Sequence, residues 1–127
     1  MKEIVAIIRS QKVNATKDAL ANVGFPAFFV SKVLGRGKKH IGELTLESAF
    51  NGDDLPRNSV GESFTERTRL IAKRMLTVIV DDADTDSIVE VLIKVNQTGD
   101  PGDGKIFIMP IASSYRLRDK ALMETAS

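Results

Sequence analysis

The chain has 127 residues, 43% of them hydrophobic and 28% charged, which is the size and make-up of one globular domain with one core. Its 18 basic and 17 acidic side chains leave a formal charge of +1, so no long-range field draws nucleic acid and any basic site must be local. The lack of cysteine excludes disulfides, thiolate metal sites and thiol catalysis.

Residues 1–4 run directly into apolar sequence with no leader pattern, and no apolar run approaches the ~20 residues that span a bilayer. A cytoplasmic protein without membrane insertion is expected. Residues 3–9, with Ile4, Val5, Ile7 and Ile8, predict a buried strand. A helix follows, with Asn14 as its predicted N-cap, Ala19, Leu20 and Val23 at helical spacing, and Gly24 as its stop. Pro26 prevents continuation, and residues 27–34 predict a second strand.

From residue 35 to about 72 the periodicity vanishes among glycines and polar residues. A connection of that length implies a functional loop, placed at about 36–72. A third strand is predicted over residues 75–80. Asp82 or Asp84 then caps a second helix with Ile88, Val89, Leu92 and Val95 on its apolar side, and Gly99 ends it. The Gly102-Asp103-Gly104 turn leads to a fourth strand over residues 105–111, and a weakly patterned tail, 112–127, is expected to be partly disordered.

The order β-α-β, long loop, β-α-β predicts an α+β, ferredoxin-like single domain over residues 1–127, with helices on one face of a four-stranded antiparallel sheet. Apolar residues at nearly every position of the first strand predict that the other face is covered by further subunits.

Three segments carry the chemistry: residues 35–39 (Gly35, Arg36, Gly37, Lys38, Lys39), residues 99–105 ending in Lys105, and Arg116 with Arg118. Glycines let backbone amides approach an anion, and Lys or Arg neutralises it, so together these suit a polyphosphate. Singly, each reads better as turn glycines beside solvated charges; the three together, at strand ends of one fold, shift the balance towards a site. Residues 99–105 match the Gly-x4-Gly-Lys skeleton of a P-loop. However, Ile106 stands where Ser or Thr is required, and the segment runs from helix to strand, the reverse of a P-loop's context. His40 is the only histidine and has no second His or Cys to help it bind zinc or act as a nucleophile. The acidic pairs Asp53-Asp54 and Asp81-Asp82 fit turns and caps. No aromatic residue lies on the first or third strand to stack an RNA base. No catalytic constellation emerges, and no enzyme is expected.

The strings Val33-Leu34-Gly35-Arg36-Gly37-Lys38, Thr98-Gly99-x-x-Gly102-Asp103-Gly104-Lys105-Ile106-Phe107 and Arg116-x-Arg118, with residues 1–9, resemble in order and context those of PII signal-transduction proteins. The resemblance covers nearly the whole chain except the long loop and the tail. It implies a trimer with ATP or ADP in the clefts between subunits. Gly35, Gly37 and Lys38 would then lie along the phosphates, and Gly102, Asp103, Gly104 and Lys105 would wrap the nucleotide. Arg116 and Arg118 would reach across from the adjacent subunit, and Ile7 and Ile79 would border the adenine. Lys73 matches the lysine that pairs with 2-oxoglutarate, a site that Lys39 would share, with Mg²⁺ as the accompanying ion.

Three departures stand out. Lys39 replaces the usual glutamine, and an ammonium cannot ligate a cation. Phe29 replaces a threonine near adenine, and Arg118-Asp119-Lys120 replaces Arg-Thr-Gly. The long loop has no tyrosine, so tyrosine uridylylation is not expected, and its serines (Ser48, Ser59, Ser63) leave serine modification open. Residues 73–78 and 93–98 resemble the PII branch encoded with nitrogenase genes. There, two related PII-like proteins act together on dinitrogenase, and ATP with 2-oxoglutarate relieves the inhibition. The expected partners are therefore further copies or a sister PII-like subunit, with dinitrogenase as target. Regulation of an ammonium channel or glutamine synthetase, a ferredoxin-like nucleotide-using enzyme relying on His40, and a nucleotide-free structural trimer are the rival readings.

Overall fold

The computed structural model describes residues 1–37 and 70–126. Its contacts fall into two units, Met1–Val33 with Lys73–Ser127, and Leu34–Ala72. Lys38, Lys39, His40, the three loop serines and the rest of residues 38–69 lie outside the described residues.

Among the described residues the strands and α-helices are β1 (Lys2–Arg9), α1 (Val13–Asn22), β2 (Phe29–Gly35), β3 (Ile71–Val80), α2 (Thr85–Asn96), β4 (Lys105–Pro110), β5 (Ser114–Arg116) and β6 (Ala121–Met123). The first four strands form a sheet in the order β2-β3-β1-β4, the arrangement that the split βαβ pattern predicts. β1 is antiparallel to both neighbours, with Ile7 opposite Met75 and Lys105, and Arg9 opposite Lys73.

Side chains alternate across a strand, so even-numbered residues of β1 and β3 share one face. Ile4, Ala6, Ile8, Leu76, Val78 and Val80 are buried there against Leu20 of α1 and Ile88 and Leu92 of α2. Phe25 and Phe28 pack at the border of this core. On the opposite face, Phe107 and Met109 of the edge strand β4 are 50% and 40% exposed.

The helix ends differ from expectation in informative ways. Asn14 lies inside α1; Lys12 occupies the cap position without a side-chain bond, because a 3₁₀ turn over Ser10–Lys12 leads directly into the helix. Gly24 does end α1. At φ +90° it donates its amide to the Ala21 carbonyl while the Phe25 amide reaches Leu20, a Schellman stop. Val23, expected on the apolar side, is 47% exposed.

Asp84 holds the cap position of α2 but makes no side-chain cap bond, and Asp82 pairs with the Met1 ammonium at 2.7 Å. α2 ends at Asn96, with Gln97 extended at its cap, and Gly99 lies beyond, in the following turn. The third strand begins at Ile71, four residues earlier than predicted. Within the tail, β5 and β6 form an antiparallel hairpin with Tyr115 opposite Leu122.

Candidate functional site

The turn between α2 and β4 is built around one carboxylate. Asp103 accepts from the Thr98 amide at 2.8 Å, the Gly99 amide at 3.0 Å and the Thr98 hydroxyl, which closes the turn on itself. Arg9, at the end of β1, donates to the same carboxylate at 2.6 Å and to the Pro101 carbonyl at 3.1 Å. The Thr98 hydroxyl, whose oxygen also accepts from the Asp100 amide, holds the Asp103 carboxyl far below the usual carboxylate range, with the backbone amides and Arg9 adding to the effect. Asp103 is therefore an anion that shapes the turn.

Gly102 and Gly104 have φ of +97° and +113°, a region that L side chains rarely adopt. At Gly104 the constraint is also steric: an added Cβ would lie 1.7 Å from the Ile7 carbonyl oxygen. The turn thus packs its backbone onto β1, and Lys105 emerges exposed as the first residue of β4. An open cleft of about 280 Å³ is lined by Gly104 and Lys105 together with Ile7 of β1 and Ile93, Asn96 and Gln97 from the end of α2 and its cap.

Lys73, directly across from Arg9, donates its ammonium to the Gly102 carbonyl. Burial lowers its pKa, the neighbouring Arg9 charge lowers it further, and Asp103 opposes the shift. Two cations thus meet at the base of the turn.

The residues singled out from sequence are therefore distributed unevenly. Ile7, Gly102, Asp103, Gly104, Lys105 and Lys73 come together at one end of the sheet. Ile79 shares their strand face but stands opposite Glu3, four positions from Ile7 along β1, or about 13 Å. Gly35 is the last residue of β2, and Gly37 follows it in exposed chain. Arg116 ends β5 of the separate β5–β6 sheet, where it is paired with Asp119, and Arg118 lies in the turn between the two strands. Arg9 and Thr98, which organise the turn, were not singled out from sequence as site residues. The signal was a Thr and an Asp five apart around a Gly-x-x-Gly turn, a spacing at which short polar side chains can bond the local backbone.

Comparison with known proteins agrees with this architecture. The Nitrogen regulatory protein P-II family profile matches residues 1–121. The chain belongs to the P-II family. A relative from Methanothermobacter marburgensis named "Nitrogen fixation nifHD region GlnB-like protein 2" is 42% identical over 120 residues, 93% of each chain. The protein of the same name from Methanobacterium ivanovii is 43% identical over 128 residues, covering 99% of this chain and 98% of its own length. M. marburgensis also has a "GlnB-like protein 1", 36% identical over 120 residues, or 94% and 96% of the two chains.

These names agree with the nitrogen-fixation branch that the sequence resembles. The P-II family and these relatives are regulatory proteins, so this chain is a nitrogen regulator and not an enzyme. No helix among the described residues is long and apolar enough to cross a membrane.

Proposed function

We propose that this P-II protein senses ATP or ADP together with 2-oxoglutarate and controls nitrogenase by binding dinitrogenase through the segment between β2 and β3. The observation that carries the nucleotide part is the Gly102–Lys105 turn, with two left-handed glycines, backbone lying against Ile7 where no side chain fits, and an exposed ammonium at its end. Backbone amides exposed by glycine and a nearby cation are what a polyphosphate requires. Gly35, Gly37 and Lys38 would follow the phosphates, Ile7 and Ile79 would border the base, and Arg116 and Arg118 would come from a neighbouring subunit. Asp103, already saturated by donors, would hold the turn's shape.

For the metabolite, Lys73 offers its ammonium, and a carboxylate can replace the Gly102 carbonyl as its partner, beside an Arg9 already paired with Asp103. Lys39 would share this site. Among the described residues no group of three or more His, Asp or Glu gathers to hold a metal, so Mg²⁺ would be bound through the phosphates and the metabolite. Ligands at the base of the segment would act by differential affinity for its target-binding and released states.

The nifHD-region names of the relatives support dinitrogenase as the target, and the co-occurrence of GlnB-like proteins 1 and 2 in one organism supports assembly with a sister subunit as well as with copies of itself. The assembly would be a cytoplasmic trimer.

Isothermal titration of the purified protein should show ATP binding, and its absence would overturn the nucleotide reading. Capture from extract of a nitrogen-fixing cell should retain dinitrogenase and release it on adding ATP plus 2-oxoglutarate. Retention of an ammonium channel or glutamine synthetase instead would overturn the nitrogenase assignment alone.

A further inference from the structure

The C-terminal hairpin turns Arg116 back onto its own chain. Nε donates to Asp119 Oδ1 at 3.1 Å and Nη2 donates to Oδ2, so both carboxylate oxygens face the guanidinium fork. The Ala121 amide donates to the same Oδ1 at 3.1 Å, and Lys120, at φ 59°, makes the tight turn that brings this amide round. The carboxylate is thus anchored at the position it occupies. The pair is also accessible, with side chains 43% and 44% exposed.

A phosphate and a carboxylate present similar paired oxygens to this fork, and one edge of a guanidinium cannot hold both in two-point contact. We propose that Asp119 is an intramolecular competitor for the Nε–Nη2 edge of Arg116, a built-in anion that a nucleotide phosphate displaces from that edge and that thereby weakens nucleotide binding. This rests on the reading of Arg116 as a phosphate ligand. Displacement costs the ion pair and leaves the Asp119 charge beside the incoming phosphates. Both effects weaken binding, and both disappear when the carboxylate is neutralised.

The test is titration of ATP into the full-length assembled protein at one fixed salt concentration, using the wild type, Asp119→Asn, Arg116→Gln and the double variant. Exposed ion pairs contribute on a scale that predicts roughly two- to fivefold tighter ATP binding for Asp119→Asn. Arg116→Gln should weaken binding, and the double variant should bind no more tightly than Arg116→Gln alone. A merely structural lesion in the hairpin would not tighten binding. Unchanged or weaker binding by Asp119→Asn, or a gain that persists without Arg116, would overturn the proposal. Failure of the nucleotide reading itself looks different: neither the wild type nor Asp119→Asn would bind ATP, and both ideas would fall together.

Discussion

Asp103 collects four donors, the Thr98 hydroxyl and amide, the Gly99 amide and Arg9, and a carboxylate so engaged is stabilised as the anion. Its folded pKa is lowered from the ordinary 3.8, so its stabilisation is fully present above that value and is lost as pH falls through the lower folded one. Asp103→Asn should therefore be less stable than wild type at neutral pH and show a flatter decline on acidification below about pH 4. Urea midpoints measured against pH check this; parallel curves for the two proteins would contradict it.

Gly104 makes a separate demand, because any side chain meets the Ile7 carbonyl and the backbone is left-handed. Gly104→Ala should destabilise by more than about 2 kcal/mol and abolish ATP binding, as measured by denaturant unfolding and titration. The glycines themselves were legible in the sequence. The carbonyl against which Gly104 packs belongs to a residue nearly a hundred positions earlier and was not.

The helices show where periodicity suffices and where it fails. Ile88 and Leu92 of α2, picked out by spacing alone, are 0% and 1% exposed. Leu92→Ala should cost about 2–5 kcal/mol in a urea melt through lost burial and the cavity left behind. The same face also buries Asn96, whose Nδ2 donates to the Thr16 hydroxyl of α1 and to the Leu92 carbonyl. No hydrophobic pattern marks such a residue; its Nδ2 finds a partner on another helix, whereas its buried Oδ1 has none among the described residues. Two of the three cap candidates failed for a related reason, while Asp84 does hold the cap position of α2. Asn14 and Asp82 are good cap types by composition, but both helices are entered through a 3₁₀ turn, and Asp82 pairs with the Met1 ammonium instead. Gly24 was readable because its signal is local: a left-handed backbone directly after the last apolar turn.

For the whole molecule, the sheet face away from the helices sets the expectation. Phe107 and Met109 are substantially exposed on the edge strand β4, and Phe29 at the start of the opposite edge strand β2 is 72% exposed. Large apolar side chains left in water along sheet edges favour association. Light scattering after size exclusion should give the mass of three chains, and Phe107→Glu should shift the protein towards smaller species. A monomeric wild type would refute the trimer.

The sequence by itself determined the order of the six elements from β1 to β4, the glycine turn before β4 and membership of the P-II family, because each is written in local periodicity or in contiguous motifs. Only the tertiary structure decided that Arg9 and Lys73 meet the turn. Arg9 reaches Asp103 across 94 residues of chain, and Lys73 reaches Gly102 across 29. Both contacts follow from β1 lying between β3 and β4 in one register, and register depends on how whole strands bury their apolar faces together.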